Sequence, residues 1–244
     1  MLIMTHGGDC EEGDKMGIEE KLTPQNVNGW KRPFREFIGT YIFLTLAFGV
    51  ASCAGSSLLN VAMAFGLGLS LAAFLFKCDA NPAVSLAKLL LRRGRQPAAF
   101  VINVIAQFIG AILAAVTVNY GFDCDIGLAV ATPSVAYGPA LVIEMILTFI
   151  LICAACMQFA SGSIASAIGG IMAGLALLAC ILVGGDLTGA ALNPFRALAP
   201  SIFSHFPADA WIYYVAPFIA SILAALILVL AKEMAPRCQQ KRCP

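Results

Sequence analysis

Two short segments hold the residues best suited to chemistry in this sequence. Asn81-Pro82-Ala83 and Asn193-Pro194-Phe195-Arg196 each set an amide side chain directly before a proline. An asparagine amide is donor and acceptor at once, so its oxygen can cap the first turn of a helix while its N–H groups face a passing solute. Proline suits the first helical position, where its missing N–H is no loss. Arg196 adds a permanent cation three residues after the second asparagine. Two carboxylates, Glu36 and Glu144, stand within long apolar stretches, where charge must be paired or hydrogen-bonded. Enzyme chemistry is not indicated, because the chain has only two histidines and lacks a nucleophile–base pattern or a ligand cluster for a metal or cofactor. Cys153-x-x-Cys156 has metal or redox spacing, but inside an apolar helix it reads as two small buried side chains.

The elements that position these residues are membrane helices. Of 244 residues, 60% are hydrophobic and 12% charged, against roughly 45–50% and 25% in a soluble domain. With a mean hydropathy of +0.86, there is too little polar surface to wrap a soluble globule. That excludes a soluble enzyme, a basic nucleic-acid binder and a disordered chain. No charge interrupts Phe37 to Phe76, Gln96 to Phe122, Ile126 to Ile143, Met145 to Gly185 or Ala210 to Ala231. At about 20 residues per crossing, these runs predict six spanning helices near 34–52, 58–76, 97–120, 137–159, 164–183 and 208–231. Two of the runs are split, after Ser52 and at Ser161-Gly162-Ser163. Residues 1–33 and 233–244 read as polar tails around a membrane domain at 34–232, and the first tail lacks the apolar core of a signal peptide.

Fourteen of the fifteen basic residues fall before the first span, between the second and third, or after the sixth. With six crossings these regions share one side, which the positive-inside rule assigns to the cytoplasm, along with both termini. Arg196 alone lies on the far side, between the fifth and sixth spans. A plasma membrane and an intracellular membrane give the same signal. Cys53 and Cys124 also fall on the far side, and the sequence leaves open whether they pair.

The chain repeats itself with inverted orientation. Gln107-Phe-Ile-Gly-Ala-Ile-Leu-Ala-Ala115 resembles Pro217-Phe-Ile-Ala-Ser-Ile-Leu-Ala-Ala225, Glu36 answers Glu144, and Asn81-Pro82 answers Asn193-Pro194. Each half (34–120 and 137–231) holds three spans, so the copies enter from opposite faces, an architecture that places a solute site near mid-membrane. Asn81 to Leu91 and Asn193 to Phe203 are 11 residues each, about 16 Å as helix, or roughly half the hydrocarbon thickness. They are predicted to be re-entrant half-helices, with Gly184-Gly185 and Gly189-Ala190-Ala191 as an irregular lead-in to the second. Two N-termini meeting from opposite faces would aim two positive dipole ends at one point, which repels cations.

With these motifs the chain resembles the aquaporin, or major intrinsic protein, family. The resemblance rests on Glu36-Phe-Ile-Gly-Thr, Ala64-Phe-Gly66, Asn81-Pro-Ala-Val-Ser, Ala106-Gln-Phe-Ile-Gly-Ala, Glu144, Thr188-Gly-Ala-Ala-Leu-Asn-Pro-Phe-Arg196 and Trp211-Ile-Tyr-Tyr-Val-Ala-Pro217. It implies an all-α membrane protein with six spanning helices and two half-helices. The implied activity is a passive water channel, with passage of small neutral solutes or a glycerol-type facilitator as the alternative. It also implies a homotetramer with one pore per protomer and no cofactor or nucleic-acid partner. Asn81 and Asn193 would donate to solute at mid-pore, beside Pro82, Ala83, Pro194 and Phe195. Phe65, Ile181, Ala190 and Arg196 would form the selectivity filter. Glu36 and Glu144 would brace the re-entrant loops, with no intramembrane Lys or His expected beside them to relay protons.

Three departures from the family pattern carry expectations of their own. Phe195 stands where Ala is usual, and either narrows or plugs the mid-pore or repacks against the facing half-helix. Asp79 stands where His is usual, and either makes the cytoplasmic mouth pH-sensitive or pairs with Lys77; the pair is the favoured reading. Ile181 replaces the His of strict water filters, which makes the filter more apolar.

Overall fold

The computed structural model describes residues 29–53, 57–91, 96–156 and 163–234. The expectations for the outer parts of both tails, the splits between spans, Arg92, Arg93, Arg95 and the last three residues of the fourth predicted span (157–159) lie outside these residues.

The described chain is helical throughout its regular structure. Its elements are α1 (Lys31–Cys53), α2 (Leu58–Phe76), α3 (Pro82–Leu90) and α4 (Pro97–Val116), which continues into a wider turn at Thr117–Gly121. A short 3-10 helix follows at Ile126–Ala129, then α5 (Tyr137–Cys156), α6 (Ser163–Thr188), α7 (Pro194–Phe203) and α8 (Ile212–Met234). Among the described residues six helices are long and apolar enough to cross a membrane, namely α1, α2, α4, α5, α6 and α8. The half-helices α3 and α7 each begin at a proline whose preceding asparagine is the N-cap.

Two boundaries differ from expectation. The first helix starts at Lys31, three residues before the first predicted span. The fifth span runs on to Thr188, so Gly184 and Gly185 are helical rather than part of an irregular lead-in. They serve packing instead: a side chain at Gly184 would strike Leu147, and one at Gly185 would strike Leu58. Residues 189–192 alone form the lead-in of α7, beginning at Gly189 with φ +80°.

Packing follows the internal repeat. In the first half α1 lies against α2 and α4, and in the second α5 lies against α6 and α8. The halves join where α2 crosses α6. There a Cβ on Gly174 would collide with the Gly66 carbonyl and with Ser70, so small residues let the two backbones touch. Each half-helix reaches into the other repeat, α3 against α8 and α7 against α4. Ser221 Oγ donates to the Ala83 carbonyl at 2.8 Å across the first of these contacts. The outer faces of the six spans expose Leu, Ile, Val and Phe, as a lipid-facing surface requires.

Candidate pore and filter

Each half-helix is preceded by backbone that water does not reach, so its N–H groups need internal acceptors. Glu36 on α1 accepts from Asp79 N at 2.9 Å and Ala80 N at 3.1 Å, and from Gln107 Nε2 at 2.8 Å. Glu144 on α5 accepts from Ala191 N and Leu192 N at 3.0 Å each, and from Thr188 Oγ1 at 2.7 Å. Both carboxylates are 0% exposed. The residue before each asparagine is left-handed, with φ +49° at Ala80 and +54° at Leu192. Such non-glycine conformations cost about 1–3 kcal/mol each. The charge-assisted bonds from Glu36 and Glu144 hold them in place.

The left-handed turns put the two asparagines back to back. Asn81 Oδ1 accepts from Ala83 N at 2.9 Å, and Asn193 Oδ1 accepts from Phe195 N at 3.0 Å, so each oxygen caps its own half-helix. Asn81 Nδ2 donates to the Leu192 carbonyl at 2.9 Å, and Asn193 Nδ2 donates to the Ala80 carbonyl at 2.8 Å. The left-handed residue of each lead-in therefore receives the amide of the opposite half. One N–H per amide is used in this exchange, and an amide nitrogen carries two. Both asparagines line an internal cavity, together with Phe43, Phe65, Leu69, Leu151 and Leu177 on its apolar side.

Arg196 lines the same cavity from the first turn of α7. Its Nη1 donates to the Ala129 carbonyl at 3.2 Å and its Nη2 to the Gly189 carbonyl at 3.3 Å. Its guanidinium carbon stands 4.9 Å from the centroid of the Phe65 ring, within cation–π range. Its buried Nε has no protein acceptor. Tyr213 Oη donates to the Thr188 carbonyl at 2.6 Å, tying α8 to the end of α6 beside this site. Of the four expected filter residues, the structure brings Phe65 and Arg196 together. Ile181 and Ala190 are buried in the same core cluster as Phe65.

Two expectations need correction. Asp79 does not pair with Lys77. Lys77 closes α2 in a left-handed turn (φ +51°) and is exposed, so its side chain and that of Asp79 diverge. Asp79 instead accepts from Lys88 Nζ at 2.8 Å and Ser85 Oγ at 2.8 Å, both on α3. Arg32 stands 3.7 Å from Asp79 and 3.9 Å from Glu36. A buried lysine, with its side chain 7% exposed, therefore stands in the network that includes Glu36, where no intramembrane lysine was expected. Lys88 lies in the last turn of α3, where the helix dipole favours a cation.

Phe195 is half-buried in the first turn of α7. It is absent from the cavity wall and packs against Phe108 on α4, with ring centroids 5.4 Å apart. Phe195→Ala is therefore expected to leave water flux per channel unchanged while lowering the melting temperature in detergent. A faster channel would show that the ring obstructs the path.

Several contributors to the site were not expected. Gln107, Thr188, Ser85 and Lys88 all bond the anchoring carboxylates or Asp79. Their signal in the sequence is slight, since each is one polar residue in or beside an apolar segment. Ala129 acts through its carbonyl, and a backbone acceptor has no sequence mark. Cys53 and Cys124, whose pairing was open, form a disulfide.

Two half-helices that meet at their capped N-termini, inside six spans arranged as an inverted repeat, define a membrane protein of the paired-half-helix channel class. The family profile for major intrinsic proteins matches residues 23–228. The chain is 36% identical over 221 residues to Aquaporin-8 of Botryotinia fuckeliana (strain B05.10), covering 82% of this chain and 68% of the relative. It is 32% identical over 202 residues to Glycerol uptake facilitator protein-like 6 of Lactiplantibacillus plantarum, covering 78% and 93% respectively. In fold it is similar to the X-ray structure of the aquaglyceroporin from Plasmodium falciparum, with a TM-score of 0.70 at 22% identity, covering 83% of this chain and 98% of that one. The chain belongs to the major intrinsic protein family, and it is an integral membrane protein that crosses the bilayer several times.

Proposed function

We propose that this protein is a passive channel for water that also passes small uncharged solutes, and that it excludes protons and ions. The observation that carries this reading is the exchange between Asn81 and Asn193 at the meeting point of α3 and α7. Each asparagine keeps one N–H for a solute oxygen, at the point where two positive helix ends converge. A water held there by its oxygen turns its hydrogens away from the neighbouring donors, which interrupts a proton wire. Arg196 acts as the second station: its guanidinium lines the cavity, and its charge repels cations. Phe65, Ile181 and Ala190 complete the filter in this reading, and Glu36 and Glu144 hold the lead-ins rigid.

The relative named as a glycerol uptake facilitator and the apolar Ile181 favour glycerol passage alongside water. The distribution of the basic residues supports a cytoplasmic position for both termini. The assembly is a homotetramer with a pore in each copy. Stopped-flow light scattering on proteoliposomes, under a sucrose gradient and then a glycerol gradient, tests the reading. Water flux well above empty liposomes, followed by re-swelling as glycerol enters, is the expected result. No flux above empty liposomes would leave a structural role.

A further inference from the structure

The Cys53–Cys124 disulfide lies at the start of a loop that ends on Arg196. Cys53 closes α1 and is exposed; Cys124 is half-buried, and their Cα atoms are 5.0 Å apart. One residue after Cys124, Asp125 caps the 3-10 helix Ile126–Ala129 by accepting from Gly127 N at 2.8 Å. This helix packs between α1 and the half-helix α7, with Ile126 and Ala129 buried. Its last residue supplies the carbonyl that accepts from Arg196 Nη1. The loop therefore runs from the disulfide to the guanidinium in six residues, most of them in one rigid turn.

Other contacts also hold this stretch. Asn119 Oδ1 accepts from Ile126 N at 3.3 Å. Farther along, Ser134 N donates to the Leu187 carbonyl at 2.9 Å and Ser134 Oγ to the Asp186 carbonyl at 2.7 Å. The second end is thus tied to α6, and the first end is tied to α1 covalently by the disulfide.

We propose that the Cys53–Cys124 disulfide is a positioning element of the filter: by fixing the 3-10 helix against α1 it holds the Ala129 carbonyl on Arg196, and so sets which uncharged solutes pass. The role assigned to Arg196 rests on the channel reading above, whereas the mechanical link from disulfide to guanidinium does not. When the disulfide opens, the Ala129 carbonyl is free to leave Nη1, and Arg196 keeps the Gly189 carbonyl and the Phe65 ring as partners. The filter loosens in part, since Asn119 and Ser134 still restrain the loop.

The test uses the full-length protein with and without dithiothreitol. The reagent's two thiols supply two electrons and two protons; the Sγ–Sγ bond breaks, each cysteine gains a hydrogen, and the reagent closes into its own cyclic disulfide. The first readout is the rate at which phenylglyoxal labels Arg196, followed by mass spectrometry, with exposed Arg35 on α1 as the internal reference. Reduction is expected to speed labelling of Arg196 several-fold while Arg35 is unchanged. An unchanged Arg196 rate overturns the proposal, whether or not the protein conducts.

The second readout is the ratio of glycerol to water permeability in proteoliposomes. The ratio is expected to rise several-fold on reduction, to be equally high in Cys53→Ala/Cys124→Ala, and to show no further response to dithiothreitol in an Arg196→Val background. An unchanged ratio, or an equal response in that background, shows that the disulfide does not act through Arg196. A wild-type protein without flux contradicts the channel reading, while the labelling result still decides the mechanical link.

Discussion

Proteoliposomes carrying Arg196→Val are expected to conduct water at a rate within a few-fold of wild type, to admit glycerol faster, and to leak small cations about tenfold or more above wild type. Among the described residues the guanidinium is the one full charge on the filter side of the cavity wall, and Arg196 is 6% exposed. A unit charge about 4 Å away, at an effective dielectric of about 20, opposes a cation by roughly 4 kcal/mol. The asparagine pair and the two helix ends, each equivalent to about half a positive charge, remain in the variant. For that reason the leak is expected to be partial and the water column to survive. Valine also removes the hydrogen bonds to Ala129 and Gly189 and widens the passage beside Phe65. Glycerol uptake followed by light scattering, and cation entry followed with an internal fluorescent indicator, measure the two effects. Unaltered selectivity would place the filter elsewhere.

Lys88→Met is expected to destabilise the protein by about 3–5 kcal/mol, the usual consequence of stripping one partner from a buried ion pair. At the usual scaling for a chain of this size, that corresponds to roughly 10 °C in the melting temperature. Asp79 would keep Ser85 and the more distant Arg32 but lose its 2.8 Å bond to the ammonium, in a buried site. Asp79→Leu/Lys88→Met removes both charges, and is expected to melt near wild type or above it, because apolar replacements of similar volume often equal or exceed a buried pair. Arg32 then retains Glu36, 3.9 Å away. Thermal unfolding of the three proteins in detergent checks the comparison. Equal destabilisation in the single and double variants would show that the two side chains do not act as a pair.

Much of this architecture is legible in the residues themselves. Scarcity of charge marks the spans, because a bilayer admits few charges and each interruption is visible. Asn-Pro pairs mark the starts of both half-helices through cap and proline geometry. Glu36 and Glu144 stand out as carboxylates in apolar surroundings. What stays hidden depends on direction in space. Asp79 has Lys77 two residues away, yet the left-handed turn at Lys77 sends that side chain outward. The lead-in then runs back along α3, and Asp79 meets Lys88 nine residues on. Phe195 reads as an obstruction until the rotation of α7 about its axis is known, and that rotation turns it toward Phe108. Gly184-Gly185 reads as a helix break because glycine weakens helices in water, but between membrane helices it permits close approach. The carbonyl of Ala129 and the link from Cys53 to Cys124 arise only when a loop closes over the site.

The central claim is that the paired half-helices conduct water while breaking its proton wire. The most direct test records osmotic water permeability over a range of temperatures, on proteoliposomes that also hold a pH-sensitive dye. The account predicts water flux well above empty liposomes, with an activation energy close to that of diffusion in bulk water, and no proton entry above background under an imposed pH gradient. Water flux no faster than in empty liposomes, or proton entry that accompanies it, would contradict the account.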